Sequence, residues 1–131
     1  MVRRCRILVI EDNEAVSDLL DDVISLEGYE VELVRPPLDD ANDIDFTAYD
    51  VAIIDLWLPH GYDAFALAQK ATAAGTAVIL VSGNQALYER AIATGYAFLR
   101  KPFRIASLVQ LIHRILERTG VDCERAKAAP A

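Results

Sequence analysis

Residues 7 to 13 read Ile7-Leu8-Val9-Ile10-Glu11-Asp12-Asn13, four apolar residues running straight into two carboxylates and an amide. A continuous, β-branched apolar run of this length marks a strand covered on both faces, as in parallel sheets. Helical crossovers must supply that cover, so strand and helix patterns should alternate along the rest of the chain. Asn13 is placed to cap the first such helix.

Outward from this stretch the alternation holds. Val16, Leu19, Leu20, Val23 and Ile24 recur at helical spacing, and Gly28 can adopt the left-handed conformation that ends a helix. Residues 29–34 read as a second strand, and 51–54 and 77–81 repeat the buried-strand signature. Residues 64–74 and 87–94 read as helices running into Gly75 and Gly95, and 97–100 as the fifth strand. Leu108, Leu111, Ile112, Ile115 and Leu116 form one apolar stripe on a last helix before Gly120. Between Arg35 and Tyr49, Pro36-Pro37 and the acidic Asp39, Asp40, Asp43 and Asp45 leave only a brief window for a second helix, which should be short or irregular. The expected organisation is one α/β domain over residues 5–120 with a short tail at 121–131.

Of the 131 residues 53% are hydrophobic, enough for one well-formed core. A net charge of −7 argues against direct nucleic-acid binding, which needs Lys and Arg to replace phosphate counterions. Cys5 and Cys123 form no close motif and are read as reduced thiols. Glu11-Asp12 cuts the first apolar run far short of a signal-peptide core, and no stretch approaches the ~20 apolar residues of a membrane span. A cytoplasmic chain with no membrane association is expected, with Arg3-Arg4 as a solvated lead-in to the first strand. Within these 131 residues no room for a DNA-binding module is expected after Gly120, and regulation is expected to act through contacts in trans.

In an open, parallel, doubly wound sheet, function gathers at the carboxyl ends of the strands. The first strand ends in Glu11-Asp12, the third in Asp55, the fourth in Ser82-Gly83 and the fifth in Lys101-Pro102. Crowded carboxylates disfavour one another's ionisation unless a cation sits among them, and an incomplete set of hard oxygen donors suits Mg²⁺ rather than zinc. A phosphoryl group on Asp55 would add negative charge that Mg²⁺ and Lys101 neutralise while the Ser82 hydroxyl donates a hydrogen bond. Aspartate can be the nucleophile, because an acyl phosphate splits one phosphoryl transfer into two easier displacements.

The segments 7–12, Asp55-Leu56-Trp57-Leu58-Pro59, Val81-Ser82-Gly83 and Phe98-Leu99-Arg100-Lys101-Pro102-Phe103 together resemble the ordered motif set of the receiver domains of two-component response regulators. The resemblance covers nearly the whole chain and rests on four motifs in order at four strand ends. It implies a flavodoxin-like (βα)5 fold with five parallel strands in the order 2-1-3-4-5. It further implies that Asp55 takes phosphate from a sensor histidine kinase or a histidine phosphotransfer protein, a step the receiver itself catalyses. By matching positions, Asp12, Asp55 and the main-chain carbonyl of Trp57 would bind Mg²⁺ directly, with Glu11 acting through water, and Lys101 would contact the phosphoryl oxygens. Ser82 and Phe98 fall at the switch positions, where a hydroxyl moves toward the phosphate and an aromatic ring turns inward behind it. Lys101-Pro102 matches a cis peptide. Output to a downstream protein, or homodimerisation, would use the face formed by helix 87–94, strand 97–100 and the last helix. Trp57 departs from the pattern as a bulky ring beside the acceptor, where the family's side chain helps set the rate of phosphate loss to water.

Plainer readings stand beside these. Glu11 and Asp12 alone could be a solvated loop and a helix N-terminus, but that leaves their alignment with Asp55 and Lys101 unexplained. Phe98 is first a packing residue, and His60 and His113 are ordinary surface or packing histidines. Tyr88, Arg90 and Arg104 are candidates for a partner surface. The Asp39–Asp45 cluster lacks the glycine and terminal glutamate of an EF-hand loop and is read as solvated charge. Alternatives to the partner-binding switch are a shuttle passing phosphate to a histidine phosphotransfer protein and a scaffold that works without phosphorylation. A nucleotide or flavin carrier is disfavoured, because Glu11-Asp12-Asn13-Glu14 would repel a phosphate where such a carrier needs a cradle.

Overall fold

The computed structural model describes residues 3–36, 44–57, 63–121 and 123–124. Its main sheet comprises β1 (Arg6–Ile10), β2 (Glu30–Val34), β3 (Val51–Asp55), β4 (Ala77–Ser82) and β5 (Ala97–Arg100). Every neighbouring pair is parallel, and the order across the sheet is β2-β1-β3-β4-β5, as expected. Four α-helices stand among the described residues: α1 (Glu14–Leu26), α2 (Ala64–Ala73), α3 (Gln85–Thr94) and α4 (Ile105–Thr119).

Alternation along each strand divides the core into two layers. Leu8, Ile10, Ala52, Ile54, Val78 and Leu80 face Phe65, Leu67, Ala68 and Ala71 of α2 and Ala91 of α3. On the other side Ile7, Val9, Val51, Ile53, Ile79 and Val81 meet Leu20 and Ile24 of α1 and Leu108, Ile112 and Leu116 of α4. Each fully buried aliphatic side chain contributes about 1.5–3 kcal/mol of transfer free energy, and both layers converge on β1, β3 and β4. Those three strands therefore form a rigid base under whatever sits at their ends.

The helix starts are set by local chemistry. Asn13 Oδ1 accepts the Val16 N–H at 3.1 Å, so the first expected cap is present. The third helix begins two residues earlier than its apolar pattern indicated, because Asn84 Oδ1 accepts the N–H groups of Ala86 and Leu87 at 2.9 and 3.2 Å. Gly120 closes α4 at φ 72°, a left-handed conformation that a side chain would oppose. Leu19, read as part of the apolar stripe of α1, is instead half exposed.

Residues 37–43 of the segment read as the window for the second helix, including Asp39, Asp40 and Asp43, lie outside the described residues, as do Leu58, Pro59 and His60. Just before β3 the chain makes a single 3₁₀ turn, Phe46–Ala48, capped by Asp45, which accepts the Thr47 N–H at 3.1 Å. Thr76 Oγ1 ties this turn to the start of β4 by donating to the Phe46 and Tyr49 carbonyls.

Two expectations are corrected at the opposite end of the sheet. Arg3–Arg4 is no free lead-in, since it pairs in parallel with Cys123–Glu124 beyond α4. Cys5 and Cys123 are not separate thiols: they are joined as a disulfide, with Cα atoms 5.0 Å apart. A separation of 118 residues in sequence concealed a pairing that the closing of the fold creates.

Candidate functional site

Strand register sets the site. Ile10 lies opposite Ile54, Asp55 opposite Val81 and Ser82 opposite Arg100, so Glu11, Asp55, Ser82 and Lys101 emerge at one level along the carboxyl edge. They line an open cavity of about 880 Å³, whose wall also includes Asp12, Asn13, Trp57 and Asn84. The structure thus brings together all the polar residues that sequence reasoning nominated at the strand ends.

Within the cavity the lysine is shared. Lys101 Nζ lies 3.0 Å from Asp55 Oδ2 and 3.2 Å from Glu11 Oε1, donating to both. The other Asp55 oxygen accepts the Trp57 N–H at 2.9 Å, which holds the carboxylate in one orientation. Asp55 is 5% exposed and Glu11 only 3%, so neither charge is well hydrated. Burial is the first cause that pushes the Glu11 carboxyl up to about 8, followed by its hydrogen bond to Asp55 and the Asp55 charge, against the opposing pull of Lys101. Burial alone would lower Lys101, but its hydrogen bond to Asp55 and the charges of both carboxylates outweigh that and raise it.

Asp12 is exposed at the rim. Carboxylate oxygens of Glu11, Asp12 and Asp55 come within 4.8 Å of one another. Three hard oxygen donors with no nitrogen or sulfur fit a magnesium-type ion better than zinc. The raised Glu11 pKa supports the same reading, because a proton occupies charge that a cation could compensate.

Ser82 is buried at the end of β4, and its Oγ accepts the Asn84 N–H at 3.0 Å. Its carbonyl accepts the Lys101 N–H at 3.0 Å, so hydroxyl and ammonium are carried by adjoining, mutually bonded backbone. The Lys101-Pro102 peptide is cis. Phe98 is half-buried and meets Tyr88 edge to face, with ring centroids 5.0 Å apart. Arg100 lies over the Tyr88 ring and Arg90 over the Phe65 ring. Sequence reasoning missed two of these features. The Trp57 main-chain donor has no side-chain signal, and the Tyr88 contact needs α3 and β5 to be neighbours. His113 packs edge-on against Tyr29 and lies 3.4 Å from Glu27, far from this edge.

A family model described as the response regulator receiver domain matches residues 7–113. Among curated proteins, the response regulator MprA of Mycobacterium sp. (strain KMS) is 26% identical over 89% of the chain and 53% of its own length. The transcriptional regulatory protein RprY of Bacteroides fragilis (strain YCH46) is 30% identical over 90% of the chain and 52% of its own. The chain thus spans about half the length of the curated relatives it matches. Among solved structures, a CheY-like response regulator receiver domain protein from Methanospirillum hungatei JF-1 superposes with a TM-score of 0.74 at 25% identity, over 89% of this chain and 97% of that one. Among the described residues no helix is long and apolar enough to cross a membrane.

Proposed function

The chain belongs to the response regulator receiver domain family, and from that premise we propose that it is a cytoplasmic phosphorylation switch whose acceptor is Asp55. The observation that carries the reading is the pair of contacts from Lys101 Nζ to Asp55 and Glu11, 3.0 and 3.2 Å long, beside the Ser82 hydroxyl. An Asp55 oxygen attacks the phosphorus of a phosphohistidine on a sensor kinase or phosphotransfer protein. The P–O bond forms as the P–N bond breaks, and the imidazole leaves with a proton.

Asp12, Asp55 and the Trp57 carbonyl would hold Mg²⁺, with Glu11 reaching it through water, and the bound ion would supply positive charge to the phosphoryl oxygens. Lys101 exchanges its contact with Asp55 for one with the incoming phosphoryl group. Ser82 Oγ, which in this state accepts from Asn84, is free to donate its own proton toward the new oxygens. That shift is coupled to the ring of Phe98 on β5, whose contact with Tyr88 links the site to the face of α3, β5 and α4. A downstream protein would read that face. The chain catalyses its own phosphorylation and dephosphorylation in this scheme, and its product is an altered surface.

Intact mass after incubation with acetyl phosphate tests the proposal. A single base-labile phosphoryl adduct is expected with Mg²⁺ and none with excess chelator. Absence of any adduct with Mg²⁺ and a panel of histidine kinases would favour the phosphorylation-independent scaffold.

Trp57 should set how long the adduct lasts. Trp57 is 69% exposed and lines the mouth of the cavity, where its ring would narrow the approach of water to an acyl phosphate on Asp55. Trp57→Asn removes that cover and places an amide that can orient water. The phosphoryl half-life should shorten on the order of tenfold, equivalent to about 1.4 kcal/mol of barrier. A half-life unchanged by the exchange would exclude Trp57 from this role.

A further inference from the structure

Cys5 and Cys123 play no part in the acidic site. They lie at the amino end of the sheet, separated from Glu11 by the full length of β1, roughly 20 Å at the usual rise of a strand. Their Cα separation of 5.0 Å falls in the range of bridged cysteines. Main-chain pairing holds both partners in place. Arg3 and Arg4 pair with Cys123 and Glu124, and the Cys5 carbonyl accepts the Glu30 N–H at 2.9 Å. Cys5 is fully buried in the layer that contains Ile7, Ile24 and Leu116, whereas Cys123 sits half-buried at the edge of that layer. The Asp50 carboxylate, which accepts the Arg6 N–H at 2.8 Å, approaches both sulfurs to within 4.8 Å.

We propose that Cys5 and Cys123 form a reversible thiol–disulfide latch that ties the segment after α4 to the segment before β1. Their unequal burial assigns the order of events. An external disulfide of the glutathione class reaches Cys123 first, and the Cys123 thiolate displaces one glutathione thiolate to leave a mixed disulfide. Cys5 then attacks the Cys123 sulfur from inside the core and releases the second glutathione. Two protein thiols and one glutathione disulfide thus become one protein disulfide and two glutathione thiols.

When closed, the latch fixes the chain three residues beyond the Gly120 turn and so anchors the carboxyl end of α4 to the sheet. When open, that end is held by a two-residue ladder and by the packing of Val121. A reducing cytoplasm keeps most thiols open, so closure would register a shift toward oxidation independently of phosphorylation.

The test uses the whole chain, equilibrated in reduced or in oxidised glutathione, unfolded in iodoacetamide and weighed intact, with parallel melting curves. Oxidised protein should be two hydrogens lighter and resist alkylation, while reduced protein should take up two labels and melt lower by on the order of 10 °C. Cys5→Ser should be trapped with one glutathione on Cys123, and Cys123→Ser should acquire none. Double alkylation after oxidised glutathione, identical melting of the two states, or stoichiometric zinc with thiols inert to glutathione would overturn the latch.

Discussion

Asp55→Ala is expected to abolish the phosphoryl adduct altogether while leaving a folded protein. The chemical half rests on the geometry. Asp55 combines burial, a contact with Lys101 and a main-chain donor on its second oxygen, whereas Glu11 carries a proton over the neutral range and Asp12 is exposed at the rim. A proton on Glu11 leaves it a poor nucleophile. The stability half separates lost chemistry from lost structure. Removing Asp55 deprives the Trp57 N–H of its acceptor, a loss of about 0.5–1.5 kcal/mol. It also removes the neighbour that helps raise the Glu11 pKa, and Lys101 keeps Glu11 as its partner at 3.2 Å. These effects oppose each other, so the melting temperature at pH 8 should stay within a few degrees of wild type, as for most substitutions that open no core cavity. Intact mass and a circular dichroism melt on the same sample read both halves. An undiminished adduct on the folded variant would place the acceptor elsewhere.

The parts of the molecule that the sequence disclosed are those where physics acts locally. Buried parallel strands are continuous in apolar residues, so 7–10, 51–54 and 77–81 stand out, and the residue that ends each run is at once a candidate for the site. Lys101 was legible because it comes after a short strand in the same way. Contacts that depend on two distant elements meeting were not. The edge-to-face pair of Tyr88 and Phe98 needs α3 to lie against β5, and the Cys5–Cys123 bridge needs the end of α4 to return to the first strand. Leu19 fits the apolar period of α1 yet is half exposed, because Leu20 and Ile24 carry that helix's contact with the sheet. Periodicity identifies a face, and its width depends on what packs against it. Electrostatic state was likewise hidden: four charged or polar residue types at strand ends name the participants but do not say that Lys101 divides itself between two buried carboxylates.

That division governs how Mg²⁺ affinity should depend on pH. Glu11 is raised from 4.5 to about 8, so between those values the folded, metal-free protein holds a proton that the unfolded chain has released. Metal-free stability therefore falls as pH rises through this window, with the stabilised form complete only below the unfolded value. Lys101 adds no slope there. Its pKa is raised from 10.5, so its contribution is complete below that value and is lost as pH rises from there through its folded value. A cation entering the cluster must displace the Glu11 proton at any pH below about 8. Each unit of acidification should then weaken Mg²⁺ binding by up to about tenfold, near 1.4 kcal/mol, with a plateau once Glu11 is ionised. From pH 6 to pH 8 the expected gain in affinity is on the order of a hundredfold. The single tryptophan of the chain, Trp57 at the cavity rim, is the natural fluorescence reporter for the titration. Glu11→Gln has no proton to displace at this position, so its affinity should vary much less over the same range and its metal-free stability should no longer fall toward pH 8. Equal slopes for wild type and Glu11→Gln would mean that the competing proton resides elsewhere, and that Lys101 rather than a cation is the principal compensation for the acidic cluster.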